Sequence, residues 1–145
     1  MTSYLCRCIA ADGEGASKLL ECTVTGAVDT KNAAIAAKSV ICSSLFMAAM
    51  FGADANCGRA LCAIGYSGAD IDINKVDIVF KSAKGEITVC HDGAGVDFSE
   101  EKAKEILLED EIQILVSAGN GTGEATAWGC DLTYDYVKIN GDYRT

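Results

Sequence analysis

Apolar residues in this chain recur with two periods, and glycine marks most of the places where the period changes. Strand-like alternation appears first over 18–26, where Leu20, Cys22 and Val24 take every second position and predict a half-buried strand. It returns over 76–81 and 86–90, two stretches joined by the turn-like run from Ser82 to Gly85 and expected to pair. Ile112, Ile114 and Val116 alternate in the same way. The glycine-rich link 119–123 then leads into 124–130, read as the antiparallel neighbour of that strand.

Helical spacing fills the intervals. Residues 1–11 read as the end of a helix with Leu5, Ile9 and Tyr4 facing inward, broken by the two glycines that follow Asp12. Asp29 or Thr30 is placed to cap a helix of small residues running through Ala33, Ala36, Ala37, Val40 and Ile41. Ser43 or Ser44 restarts a second helix over 45–51, which Gly52 ends at the C′ position. Asn56 caps a third through Leu61, Ile64 and Tyr66, closed by Ser67 and Gly68. Ser99 opens a charged amphipathic helix with Ala103, Ile106 and Leu107 inward. Asp131 is positioned to cap a short last helix with Leu132, Tyr136 and Ile139 on one face, a continued strand being the alternative. The whole predicts a single α+β domain, sandwich-like, with helices covering a mixed or mainly antiparallel sheet.

Composition narrows the classes of function. The 145 residues suffice for one domain with a real core. Twelve basic against twenty-one acidic residues give a net charge of −9, which disfavours nucleic acid and anionic membrane surfaces. Lys38, Ser39, Ser43 and Ser44 interrupt the apolar stretch 33–51, so no membrane span is expected. Eight cysteines invite a disulfide framework, but no signal peptide is read ahead of them and most have apolar neighbours. They are expected to be reduced, core-like thiols of a cytoplasmic protein. Only Cys6/Cys8 and Cys57/Cys62 are closely spaced and His91 is the sole histidine, so no metal site is expected.

Among chemistry-bearing motifs, GNGTG at 119–123 resembles a phosphate loop but precedes a strand where a dinucleotide site needs a helix. Asp70, Asp72 and Asn74 alternate like a calcium loop that lacks its sixth-position glycine, and read as a solvated loop. His91 reads as a turn histidine without an evident catalytic partner. Two segments remain. The turn DGEG at 12–15 sets carboxylates in flexible backbone that can approach a ligand amine. The stretch 128–145 is rich in tyrosine, aspartate and asparagine up to Thr145, suited both to docking on the core and to touching a ligand.

Several of these motifs, taken together, resemble one family. DGEGASK at 12–18, GYSGAD at 65–70, VDF at 96–98, ATAWGCDLTYDYVKIN at 125–140 and DYRT at 142–145 are similar to the C-terminal part of ornithine acetyltransferases, also called glutamate N-acetyltransferases. The resemblance spans essentially the whole chain. It implies an arginine-biosynthesis enzyme made as a precursor that cuts itself before a threonine into α and β chains, which assemble as a heterotetramer. The exposed threonine takes acetyl from N-acetylornithine and passes it to glutamate through an acyl-enzyme, and some members also use acetyl-CoA. No cofactor is implied.

By the same resemblance, Glu14 meets the cationic amine end of ornithine, while Asn140 and Thr145 hold the amino-acid portion. The family's nucleophilic threonine lies upstream of DGEG, and Thr2 lacks its context. Residues 1–145 are therefore expected to form the C-terminal domain without a catalytic residue of their own, inactive without the N-terminal (α) half, and prone to oligomerise. A standalone binding or assembly domain that retains the family fold is the alternative. Where the family reads DPNWGR, this chain reads DANCGR at 54–59, which removes a tryptophan beside the cleft.

Overall fold

The alternation at Leu20, Cys22 and Val24 becomes β1 (Leu19–Ala27), with all three side chains fully buried. It pairs in parallel with β5 (Glu111–Ser117) on one side and antiparallel with β6 (Gly123–Cys130) on the other. Beyond β5, β2 (Asp77–Ser82) runs antiparallel to both β5 and β3 (Gly85–His91), and the short β4 (Ala94–Gly95) ends the sheet. The computed structural model, which describes residues 1–143, thus contains one mixed sheet in the order β4-β3-β2-β5-β1-β6.

This order corrects the expected hairpin between β5 and β6. The 119–123 link does join them, but β1 lies between, so the link spans two strand spacings of about 4.8 Å each. Alternation records which face of a strand is buried and carries no information on its neighbour. The threonines of the non-core face, Thr23 and Thr126, make the β1–β6 register explicit, with their hydroxyls 2.9 Å apart.

The register stacks Leu20, Ile112, Ile114, Val116, Ile78 and Phe80 on one face, where they meet the helices in a continuous core. Full burial of each such side chain contributes roughly 1.5–3 kcal/mol. Helix α2 (Thr30–Ile41) crosses β1 and β6 through Ala33, Ala36 and Ala37, facing the small Ala125, Ala127 and Gly129. A Cβ on Gly129 would lie 3.1 Å from Ile41, so this approach depends on small residues. Helices α3 (Ser44–Phe51) and α4 (Cys57–Gly65) pack beside α2, and α5 (Glu100–Leu107) covers β2 and β3. Asp29, Ser43, Asn56 and Ser99 each accept a first-turn amide proton, as capping chemistry predicts. The expected left-handed stop at Gly52 falls one residue later: Gly52 has φ −77° and Ala53 has φ 51°.

Two helices lie outside this core. α1 (Thr2–Ala11) buries no residue, and Tyr4, Leu5 and Ile9 face solvent, reversing the inward orientation expected of them. The helix docks through its polar side: Arg7 bridges Glu21 at 2.6 Å and Glu111 at 2.9 Å. α6 (Tyr134–Asp142) is the predicted last helix and is likewise exposed, with Tyr134 edge-on to Phe51. No helix among the described residues is long and apolar enough to cross a membrane, and α2 and α3 meet at a bend of 57°.

Candidate functional site

The turn after α1 and the entry to α6 are fastened together by hydrogen bonds between residues more than a hundred positions apart. Asp131, at the end of β6, is buried. Its carboxylate accepts the backbone N–H of Ser17 at 2.8 Å, that of Lys18 at 2.9 Å and the Ser17 hydroxyl. Asp131 is therefore not the cap expected for the last helix; its carboxylate is committed to the 17–18 backbone. Thr133 takes the capping role, accepting from Tyr136 N–H at 3.1 Å while its hydroxyl donates to the Gly15 carbonyl.

Two glycines let the turn lie flat against this segment. Gly15 has φ +69°, and a Cβ there would come within 2.6 Å of the Tyr136 nitrogen. A Cβ on Gly13 would meet the Cys130 sulfur at 2.6 Å. Glu14, between them, projects outward. Its Oε1 accepts from Asn140 Nδ2 at 3.4 Å, and the same amide group donates to the Tyr136 carbonyl at 2.9 Å. Both side chains are exposed, a carboxylate that accepts only and an amide that both donates and accepts. Thr145 lies outside the described residues.

Behind the turn sits a buried cation that sequence reasoning did not single out. Lys18 Nζ donates to the Met50 and Leu107 carbonyls, each at 2.6 Å, near the C-terminal ends of α3 and α5. Burial lowers its pKa, opposed by the charges of Asp131 and Asp110. Its signal in sequence was a lysine directly abutting an apolar strand. Glu21 was also missed. Its carboxylate gathers Arg7, Trp128 Nε1 at 2.6 Å and Gln113 Nε2 at 3.1 Å. Burial pushes its pKa up, but the bonds from Trp128, Gln113 and Arg7 together hold it below the usual range.

His91 has partners after all. Its Nδ1 lies 2.9 Å from Asp77 and its Nε2 3.4 Å from Asp92. Asp77 is held low by the Asp92 backbone N–H, against burial and aided by His91. One ligand atom from each of the three residues lies within 4.8 Å of the others, a group able to hold a metal ion, at the surface and apart from the Glu14 turn. The eight cysteines are free thiols, and the core-like reading needs correction: Cys22 and Cys90 are buried, whereas Cys6, Cys8, Cys42 and Cys62 are exposed.

Two cavities of about 420 Å³ lie elsewhere. One is lined by Arg7, Glu21, Ser82, Asp110 and Glu111, the other by Ser43, Leu45, Asn56, Arg59 and Tyr66, and neither includes Glu14 or Asn140. The Glu14–Asn140 pair is thus an open wall, with chemistry suited to a ligand carrying both a cation and hydrogen-bonding groups.

Comparison with known proteins gives this wall a context. The ArgJ family model matches residues 1–145. The arginine biosynthesis bifunctional protein ArgJ of Caldanaerobacter subterraneus is 57% identical over 141 residues, 97% of this chain and 35% of that protein. The glutamate N-acetyltransferase of Methanopyrus kandleri is 47% identical over 137 residues, 94% of this chain and 35% of that protein. A crystal structure of the arginine biosynthesis bifunctional protein from Bacillus halodurans superimposes with a TM-score of 0.90 at 45% identity, covering 97% of this chain and 64% of that one. The chain spans about a third of the length of the curated relatives it matches.

Proposed function

The chain belongs to the ArgJ family, and from that premise we propose that it is the C-terminal, β-chain part of an enzyme that moves acetyl from N-acetylornithine to glutamate. In this reading it supplies one wall of the substrate site, and the nucleophilic threonine, exposed at the head of the β chain by the cut, lies upstream of the DGEG turn. Glu14 pairs with the side-chain ammonium of ornithine. Asn140 and Thr145 hydrogen-bond the amino-acid portion, keeping the acetamide turned toward the threonine. The threonine oxygen attacks the acetyl carbonyl, the ornithine amine leaves, and glutamate's amine takes the acetyl group in the second half-reaction.

The observation that supports this reading is the meeting of Glu14 and Asn140, residues 126 positions apart, at an exposed wall. Two exposed groups bind weakly, because water screens the charge. The chain alone should therefore bind ornithine no more tightly than about millimolar, roughly −4 kcal/mol, and calorimetry showing micromolar affinity would contradict the one-wall reading. The direct test mixes this chain with a folded N-terminal half and measures acetyl transfer from N-acetylornithine to glutamate. Transfer in the mixture and none from either part supports the proposal. No transfer from a verified, folded complex would favour a standalone binding or assembly domain. Transfer by this chain alone would overturn both.

A further inference from the structure

Glu14 and Asn140 sit on separate segments, a turn and a helix, and their meeting depends on how those segments are joined. Besides the Glu14–Asn140 bond itself, three contacts among the described residues hold the turn against the end of β6 and the start of α6. Gly13 packs against Cys130, Gly15 packs against the Tyr136 nitrogen, and the buried Thr133 hydroxyl donates to the Gly15 carbonyl while accepting from Tyr136 N–H. Of these three, the last is the one in which a side chain bonds both the turn and the first turn of α6. Asp131 supplies the fixed base beneath it, holding Ser17 and Lys18 to the end of β6.

We propose that Thr133 is a positioning residue for the substrate wall, whose single hydroxyl sets the angle of α6 against the Glu14 turn and so places Asn140 beside Glu14. The inference rests on the substrate role given to Glu14 above. Its leverage is geometric. Asn140 lies seven residues beyond Thr133, about 10 Å along a helix rising 1.5 Å per residue. A tilt of about 10° at the cap shifts Asn140 by roughly 2 Å at that lever arm, enough to open the 3.4 Å contact. α6 has no buried residue of its own to resist such a tilt.

Thr133→Val keeps the shape and removes the hydroxyl, while Thr133→Ser keeps the hydroxyl. In the full chain, Thr133→Val should raise amide exchange roughly tenfold both in 13–17 and in 134–140, the loss of one local bond's protection, and Thr133→Ser should restore both. A rise in α6 with 13–17 unchanged would show an ordinary helix cap and overturn the proposal. In the assembly with the N-terminal half, Thr133→Val should raise the KM for N-acetylornithine about tenfold with kcat within about twofold, the signature of lost binding. Glu14→Gln separates the two ideas. If it raises that KM and Thr133→Val does not, this inference fails alone; if Glu14→Gln leaves the KM unchanged, the substrate role of Glu14 fails and the positioning role falls with it.

Discussion

Replacing Lys18 with methionine isolates the buried cation behind the turn. The side chain is 8% exposed, and its ammonium donates to two helix-end carbonyls at 2.6 Å. Methionine has similar volume and no donor. Two hydrogen bonds to a charged group are worth about 3–6 kcal/mol together. Part of that returns because an ammonium no longer has to be buried, leaving a net loss of about 2–4 kcal/mol and a fall in Tm of roughly 6–12 °C for a chain of this size. The pH dependence adds a signature. Burial lowers the Lys18 pKa below its ordinary 10.5. Between the lowered value and 10.5 the unfolded chain holds one more proton at this residue than the folded chain, so the parent gains stability as pH rises. The variant lacks this gain, and its deficit should widen toward alkaline pH. Urea melts of both proteins across the neutral-to-alkaline range measure this directly. A variant as stable as the parent at neutral pH, or a deficit that narrows on the alkaline side, would refute the reasoning.

Three further outcomes are expected. Burial pushes the Cys22 thiol from 9.0 up to about 12. The stability it contributes is intact below the unfolded value and is lost as pH rises through that window, by about 1.4 kcal/mol per pH unit, so Cys22→Ala should flatten the alkaline limb of a stability–pH curve; an unchanged slope would assign that limb to other groups. Gly15→Ala sets a side chain at φ +69° against the Tyr136 backbone and should cost about 2 kcal/mol or more in a denaturant melt, with parental stability showing that the turn relaxes freely. Glu21→Gln should cost about 1–3 kcal/mol at neutral pH. The Glu21 carboxyl is held low in the folded chain, so its contribution exists above the unfolded value and disappears as pH falls through the folded one. The difference between parent and variant should therefore shrink on acidification, followed through Trp128 fluorescence.

The chain declares its local chemistry and conceals its long-range choices. Asp29, Ser43, Asn56 and Ser99 were legible as caps because each needs only a backbone N–H three residues away. Asp131 and Thr133 both have the side chain of a cap. Which of them caps α6 is decided by Ser17 and Lys18, more than a hundred residues distant, which claim Asp131. The alternation in β1 and β5 gave the buried face of each strand, yet β1's place between β5 and β6 depends on pairing that no local period records. α1 shows the same limit from the other side: its apolar stripe at Tyr4, Leu5 and Ile9 is real but faces solvent, and the polar Arg7 ties the helix to the sheet through ion pairs with Glu21 and Glu111. The turn at 12–15 and the 128–145 stretch were each visible as ligand-capable. That Glu14 and Asn140 touch is a product of the fold.

Exposure and chemistry fall on the same elements. α1 leads into the Glu14 turn and leaves Tyr4, Leu5 and Ile9 exposed; α6 carries Asn140 and leaves Tyr134, Val137 and Ile139 exposed. Apolar side chains on two helices flanking one wall mark a surface that gains from being covered, at roughly 25 cal/mol per Å² removed from water. Covering it would also act on the wall itself. A carboxylate facing bulk water attracts an ammonium at about 4 Å by only about 1 kcal/mol, and by about 4 kcal/mol where the effective dielectric falls to near 20. A complementary half that buries the two stripes would thereby turn Glu14 from a screened surface charge into a strong ligand for a cationic substrate, so assembly and substrate affinity would be coupled through the same few residues.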